Sequence, residues 1–249
     1  MTGVYALSTG RWALAAAAAF IAGLSKTGIP GLGIIFVPLF ALVLPARMST
    51  GALLPLLIVG DFVAVIWYRR NAVWRHLLRL LPWAVGGIVI GFFALGRIDD
   101  RQLRPVIAVV VIVMLVVGLW RDLATRGKAR IPSGLWFAAL AGVLAGATTM
   151  LANAAGPVMM VYLLAMRLPK DEFLGTGAWF FAVVNWVKVP FSVGLGLITP
   201  QSLFLDAALS GGVLLGAFVG ILAARRLPEK AFNIAMQVLT FGSAVMLFF

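Results

Sequence analysis

The stretch Ala22-Gly23-Leu24-Ser25-Lys26-Thr27-Gly28-Ile29-Pro30-Gly31-Leu32-Gly33 places a lysine, two hydroxyls, a proline and four glycines inside an otherwise apolar run. The apolar flanks, residues 12–24 and 34–44, are 13 and 11 residues long. At about 1.5 Å per helical residue each reaches under ~20 Å, against a hydrocarbon core about 30 Å thick. Neither flank is expected to cross a membrane alone. Non-helical backbone and a lysine at membrane depth are tolerated only against protein or a water-filled cavity, so the break predicts a polar site inside a membrane.

Composition supplies the membrane. Hydrophobic residues make up 63% of the chain and charged residues 11%, and the mean hydropathy is +1.07. A soluble domain is about half apolar and about a quarter charged, so the expected fold class is an all-α polytopic membrane protein with the lipid bilayer as its first partner. The formal charge of +12 does not point to nucleic acid, because most basic residues fall in short loops between spans, where orientation signals belong. With no cysteine, disulfides and thiolate chemistry are excluded. The Ala-rich segment from Ala13 has no basic residue before Arg11 and no cleavage context, so it is read as mature structure and not as a leader.

A second break repeats the first. Residues 134–147 are apolar, Thr148-Thr149-Met150-Leu151-Ala152-Asn153-Ala154-Ala155-Gly156 interrupts them, and 157–166 resume. A shift of 124 residues superimposes Leu44-Pro45 on Leu168-Pro169, Gly51 on Gly175 and Asp61 on Asn185; a shift of 125 brings Gly86, Gly87 and Gly91 onto Gly211, Gly212 and Gly216. The expected organisation is repeat 1 over 1–120 (broken segment 11–44, spans 50–68, 77–95 and 103–120), a linker over 121–133, and repeat 2 over 134–249 (broken segment 134–166, spans 172–189, 202–224 and 231–249).

Charge placement chooses between topologies. If each broken segment crosses as one kinked helix, basic residues divide evenly between the two sides. If each dips in and returns, Arg69, Arg70, Arg75, Arg79, the cluster from Arg121 to Arg130, Arg167, Lys170, and Arg225, Arg226 and Lys230 gather on one side. Only this second arrangement obeys the positive-inside rule. It leaves three crossings per half, an odd number, so the two repeats are expected to be inverted, each a broken or re-entrant helical hairpin plus three transmembrane helices, with both termini periplasmic. Two short crossing helices in place of each hairpin would give the same parity.

Met150 to Pro157, Tyr162-Leu163-Leu164, Phe173, Gly175-Thr176, Phe180-Phe181, Asn185 and Lys188-Val189-Pro190 resemble the carboxyl-terminal repeat of the TauE/SafE sulfite exporter family, within the 4-toluene sulfonate uptake permease superfamily. The family's amino-terminal break usually ends in consecutive glycines; here Gly31-Leu32-Gly33 is a diluted form, and Ser25-Lys26-Thr27-Gly28 resembles a lysine-bearing variant. The resemblance spans essentially the whole chain. It implies export or uptake of sulfite, an organosulfonate or a related small sulfur oxyanion across a bacterial inner membrane, without naming one.

The residues agree on the ligand's charge. Each break presents a restarting helix with unpaired N–H groups and the positive end of a dipole, and glycine lets backbone donors approach closely. The expected binding set is Ser25, Lys26, Thr27, Gly28, Gly31, Gly33, Thr148, Thr149, Asn153, Gly156, Asn185 and Lys188, with Asp61 as proton carrier or counter-ion. Asn185 and Lys188 are three residues apart and share a helical face. The blander alternatives are that Lys26 only pairs with Asp61, that Lys188 snorkels to the surface, and that the paired glycines from Gly86 to Gly216 serve helix packing. Trp12, Trp67, Trp74 and Trp120 read as interfacial anchors. Trp179, Phe180, Phe181 and Trp186 either line the pathway or fill the bundle. His76, the one histidine, is placed in a basic loop.

An enzyme is not expected, since no buried carboxylate pair, thiol or histidine cluster is legible, and neither a cofactor nor a metal is implied. A carrier or channel for a different small anion is the alternative function. A homodimer is compatible with the pattern.

Overall fold

A computed structural model describes residues 7–44, 46–95 and 134–246. Among them it contains nine helices and no strand. The span expected over 103–120 and the linker 121–133 lie outside the described residues.

Helix α1 (Thr9–Thr27) starts at Ser8, whose hydroxyl accepts the Arg11 N–H. Its 19 residues make about 28 Å of helix, longer than the apolar flank alone. The helix propagates through Ser25, Lys26 and Thr27 instead of ending before them. The Thr27 hydroxyl reaches the Ala217 carbonyl at 2.7 Å, with the Gly23 carbonyl one turn back at 3.2 Å, and Lys26 finds a carboxylate. Gly31 then adopts φ 102, a left-handed conformation that favours glycine, and α2 (Gly33–Val43) follows with 11 residues, about 16 Å and too short to cross.

The second broken segment has the same form. Helix α5 (Leu135–Ala152) continues through Thr148, whose hydroxyl donates to the Leu144 carbonyl at 2.7 Å. It ends at Asn153, φ 52, with the Asn153 and Ala154 N–H groups bonded to the Thr149 and Thr148 carbonyls. This left-handed cap is one that asparagine tolerates. Helix α6 (Ala155–Ala165) is again 11 residues long.

The remaining helices are α3 (Ala46–Tyr68), α4 (Trp74–Leu95), α7 (Lys170–Gly194), α8 (Pro200–Arg226) and α9 (Glu229–Met246). The start of α8 is fixed locally: Thr199 and Ser202 form a reciprocal capping box, with Pro200 in the first turn where its missing N–H costs nothing. Four described helices, α3, α4, α5 and α8, are long and apolar enough to cross a membrane. This is a multi-pass membrane protein. Because α4 begins at Trp74, three residues before the expected start, His76 lies in its first turn and not in a loop; its Nδ1 is 2.9 Å from the Tyr162 hydroxyl.

The chain divides into two units, Met1–Arg70 with Ala178–Leu227, and Asn71–Gly177 with Pro228–Phe249. Each draws on both sequence halves. In the first, α1 packs on α8 through small residues: a Cβ at Gly23 would strike the Val213 carbonyl, at Gly216 the Phe20 carbonyl, and at Gly220 the Thr27 hydroxyl. Ascending positions meet ascending positions, so α1 and α8 are parallel. Gly51 of α3 abuts Leu197, just before α8, and Gly60 lies beside Val213, so α3 points the same way. Helix α2 therefore returns the chain towards the end where α1 began. Without a hydrophobic drive between helices in lipid, such close backbone approach supplies the packing. Around this seam Ala15, Ala18, Ala22, Phe36, Phe40, Leu53, Leu56 and Leu209 form the core.

The second unit uses the corresponding helices. Gly87 and Gly91 of α4 abut Val143 and Ala147 of α5, Gly142 and Gly146 of α5 abut Leu80 and Ala84 of α4, and Gly175 of α7 abuts Asn71. Packing thus accounts for Gly87, Gly91 and Gly216. At Gly86 and Gly211 no atom of another described element lies within 4 Å of where a Cβ would stand, so among the described residues the packing role expected of these two does not hold.

Candidate functional site

The first unit buries a charged cluster at the carboxyl-terminal turn of α1. Lys26 Nζ is 2.7 Å from Asp61 Oδ1 and 4.5 Å from the centroid of the Phe181 ring. Asp61 Oδ2 accepts the Asn185 side-chain amide at 2.6 Å. Both oxygens of this carboxylate are therefore engaged, as burial of a charge requires. Gly60 makes room for the lysine stem, since a Cβ there would lie 3.0 Å from Lys26 Cγ. Lys188, one helical turn beyond Asn185, is 1% exposed and interacts electrostatically with Lys26 and Asp61. It does not snorkel to the surface. Two lysines and one carboxylate thus lie within electrostatic range of one another.

Around this cluster, Ser25 and Gly31 are buried. Thr27 is fully buried, with its hydroxyl 2.7 Å from the Ala217 carbonyl and its own carbonyl accepting the Tyr68 hydroxyl at 2.8 Å. Its one proton is committed to backbone in this arrangement. Gly28 lies against the Gly220 backbone, so close packing requires the glycine there. Gly33 opens α2, which has no side-chain cap, leaving first-turn N–H groups available. Phe180 is buried and Trp186 is 63% exposed. Of the central aromatics, Phe181 touches the charged cluster.

A model of the family described as sulfite exporter TauE/SafE matches residues 15–247. The chain belongs to this family. No curated protein and no solved structure matches it. TauE/SafE proteins are transporters, and the matched region covers both broken segments and the buried Lys26, Asp61, Asn185 and Lys188.

The second break of this TauE/SafE chain belongs to the other unit. Thr148 and Thr149 are buried, and the Thr148 proton goes to the Leu144 carbonyl. Asn153 sits at the left-handed cap and Gly156 in the first turn of α6, which also lacks a side-chain cap. Among the described residues, nothing crowds the Cβ position of Gly156. No group of three or more potential metal ligands occurs among the described residues.

Sequence reasoning missed Asp206. It lies within α8, 5% exposed, and neither carboxylate oxygen has a hydrogen-bond partner among the described residues. The signal was legible: it is the one charged residue in the apolar run 201–224.

Proposed function

We propose that this protein is a secondary transporter that moves a small sulfur oxyanion, such as sulfite or an organosulfonate, across the bacterial inner membrane. The anion is held at the α1–α2 break beside Lys26 and Lys188. One observation carries the reading: Lys26 is paired with a carboxylate whose second oxygen is occupied by an amide, and a second, buried lysine, Lys188, lies within electrostatic range of both. The cluster has a formal excess of cation that an arriving anion complements, and the uncapped N–H groups opening α2 add donors of the same sign.

The topology proposed with it is a pair of inverted repeats, both termini periplasmic, with alternating access around the two broken segments. Equivalent helices use equivalent contacts, α1 on α8 in one unit and α5 on α4 in the other, which supports a duplicated architecture. The basic loops then face the cytoplasm.

Proteoliposome uptake and binding titrations across sulfite, thiosulfate, short sulfonates, chloride, phosphate, carboxylates and monovalent cations test the reading. Saturable transport of a sulfur oxyanion in preference to the rest is expected. Transport of cations alone would overturn it.

A further inference from the structure

We propose that Asp206 is an intramembrane proton-binding site whose loading and unloading is coupled to anion movement. This rests on the transporter reading above and adds the coupling ion and its seat.

The first unit contains two buried carboxylates in opposite circumstances. Asp61 is neutralised by Lys26 and hydrogen-bonded by Asn185, so it is provided for as an anion. Asp206 is similarly inaccessible, yet among the described residues it has no hydrogen-bond donor at either oxygen. An ionised carboxylate cannot be kept so in a low-dielectric interior. A bound proton neutralises it with no other protein group. Of two buried carboxyl groups of which only one is charge-compensated, the uncompensated one is the natural proton carrier.

Its location suits exchange with one aqueous face. Asp206 is six residues from Pro200, about 9 Å along α8, on the same buried stripe as Ser202, Leu209 and Val213. Thr27 sits at the level of Gly220, and the Lys26 stem meets Gly60 beside Val213, seven residues or about 10 Å beyond Asp206 along α8. The proton site and the charged cluster are thus separate along one helix.

The charged groups on the packed elements are accounted for. From α1 these are Arg11, exposed at the helix start, and Lys26, paired with Asp61. Helix α2 has none. From α3 they are Asp61 and Arg47, whose side chain lies outside the described set. The part of α7 in this unit brings Lys188, which interacts with Lys26 and Asp61. On α8 itself Arg225 stacks over Trp67 at 4.5 Å and Arg226 adjoins it at the far end. The chemistry is simple: a proton delivered by water forms one O–H bond on the carboxylate and later leaves to water on the same bond.

Infrared spectra of the purified protein through a pH titration test the site without substrate. At neutral pH the wild type should show the C=O band of a buried carboxylic acid, lost in Asp206→Asn and kept in Asp61→Asn. In proteoliposomes, an imposed pH gradient should change sulfite flux through the wild type and have no effect in Asp206→Asn, which should still bind sulfite. A band that is absent, or that survives in Asp206→Asn, overturns the proposal, as does an unaltered gradient response in that variant. If instead Asp206→Asn lowers the melting temperature and Arg47→Gln restores it, Asp206 is a structural anion and the proposal fails. Absence of binding of any sulfur oxyanion by the wild type would sink the transporter reading, and the infrared titration would still decide the proton site.

Discussion

Asn185 donates its side-chain amide to Asp61 Oδ2 at 2.6 Å, and the two residues are 124 positions apart, the offset that superimposes the second repeat on the first. Positions that the proposed duplication makes equivalent therefore meet each other. One copy is charged and the other neutral, so the pair forms a hydrogen bond where two aspartates would repel. The asymmetry leaves Asp61 Oδ1 for Lys26.

Removing the amide should expose its value. Asn185→Leu leaves a buried carboxylate oxygen without its donor, which costs about 1–3 kcal/mol. Thermal melts in detergent should show lowered stability, with loss of anion binding if Lys26 shifts to compensate. A melt unchanged from wild type would show that the bond is dispensable.

Lys26 can be isolated by deleting its charge. Lys26→Met keeps the length of the side chain, and losing one charge-assisted hydrogen bond should weaken anion affinity about ten- to a hundredfold, equivalent to about 1.5–3 kcal/mol. Lys26→Arg should not restore it, because a forked guanidinium does not fill the place of a compact ammonium under Phe181. Isothermal titration reads both. If Lys26→Met with Asp61→Asn recovers wild-type affinity, the lysine is only a counter-ion.

Close packing makes its own prediction. At Gly216 a Cβ would overlap the Phe20 carbonyl and at Gly87 the Val143 carbonyl, both rigid backbone. Gly216→Val and Gly87→Val should each destabilise by about 1–3 kcal/mol or more through forced helix separation. Gly211→Ala, with no described neighbour at its Cβ position, should be neutral. Folded yield and melting temperature across the three variants check the ranking.

Topology can be read directly because the chain has no cysteine. Single cysteines near Met1 and Phe249 should react with an impermeant thiol reagent in intact cells, and cysteines beside Arg69 and Arg121 should be protected until the membrane is opened. The reverse pattern would invert the orientation. Termini on opposite sides would end the inverted-repeat proposal.

The all-helical membrane class, the family and the two breaks were legible in the sequence. Hydropathy and glycine placement are local properties that lipid enforces on any chain of this composition. Helix ends were less legible. The apolar run stops before Ser25 and Thr148, yet both helices continue because the Thr27 and Thr148 hydroxyls find backbone carbonyls and Lys26 is neutralised by a residue 35 positions away. A lysine in an apolar run reads as a break until its partner is known. The partners themselves were beyond the sequence. Asp61 with Asn185, and Thr27 with Ala217, are contacts across 124 and 190 residues, and no local pattern encodes them. The same holds for Asp206. Its position in an apolar helix is plain in the sequence, whereas its lack of a partner is a property of the packed helices around it, since only tertiary structure determines which polar groups come within hydrogen-bonding distance.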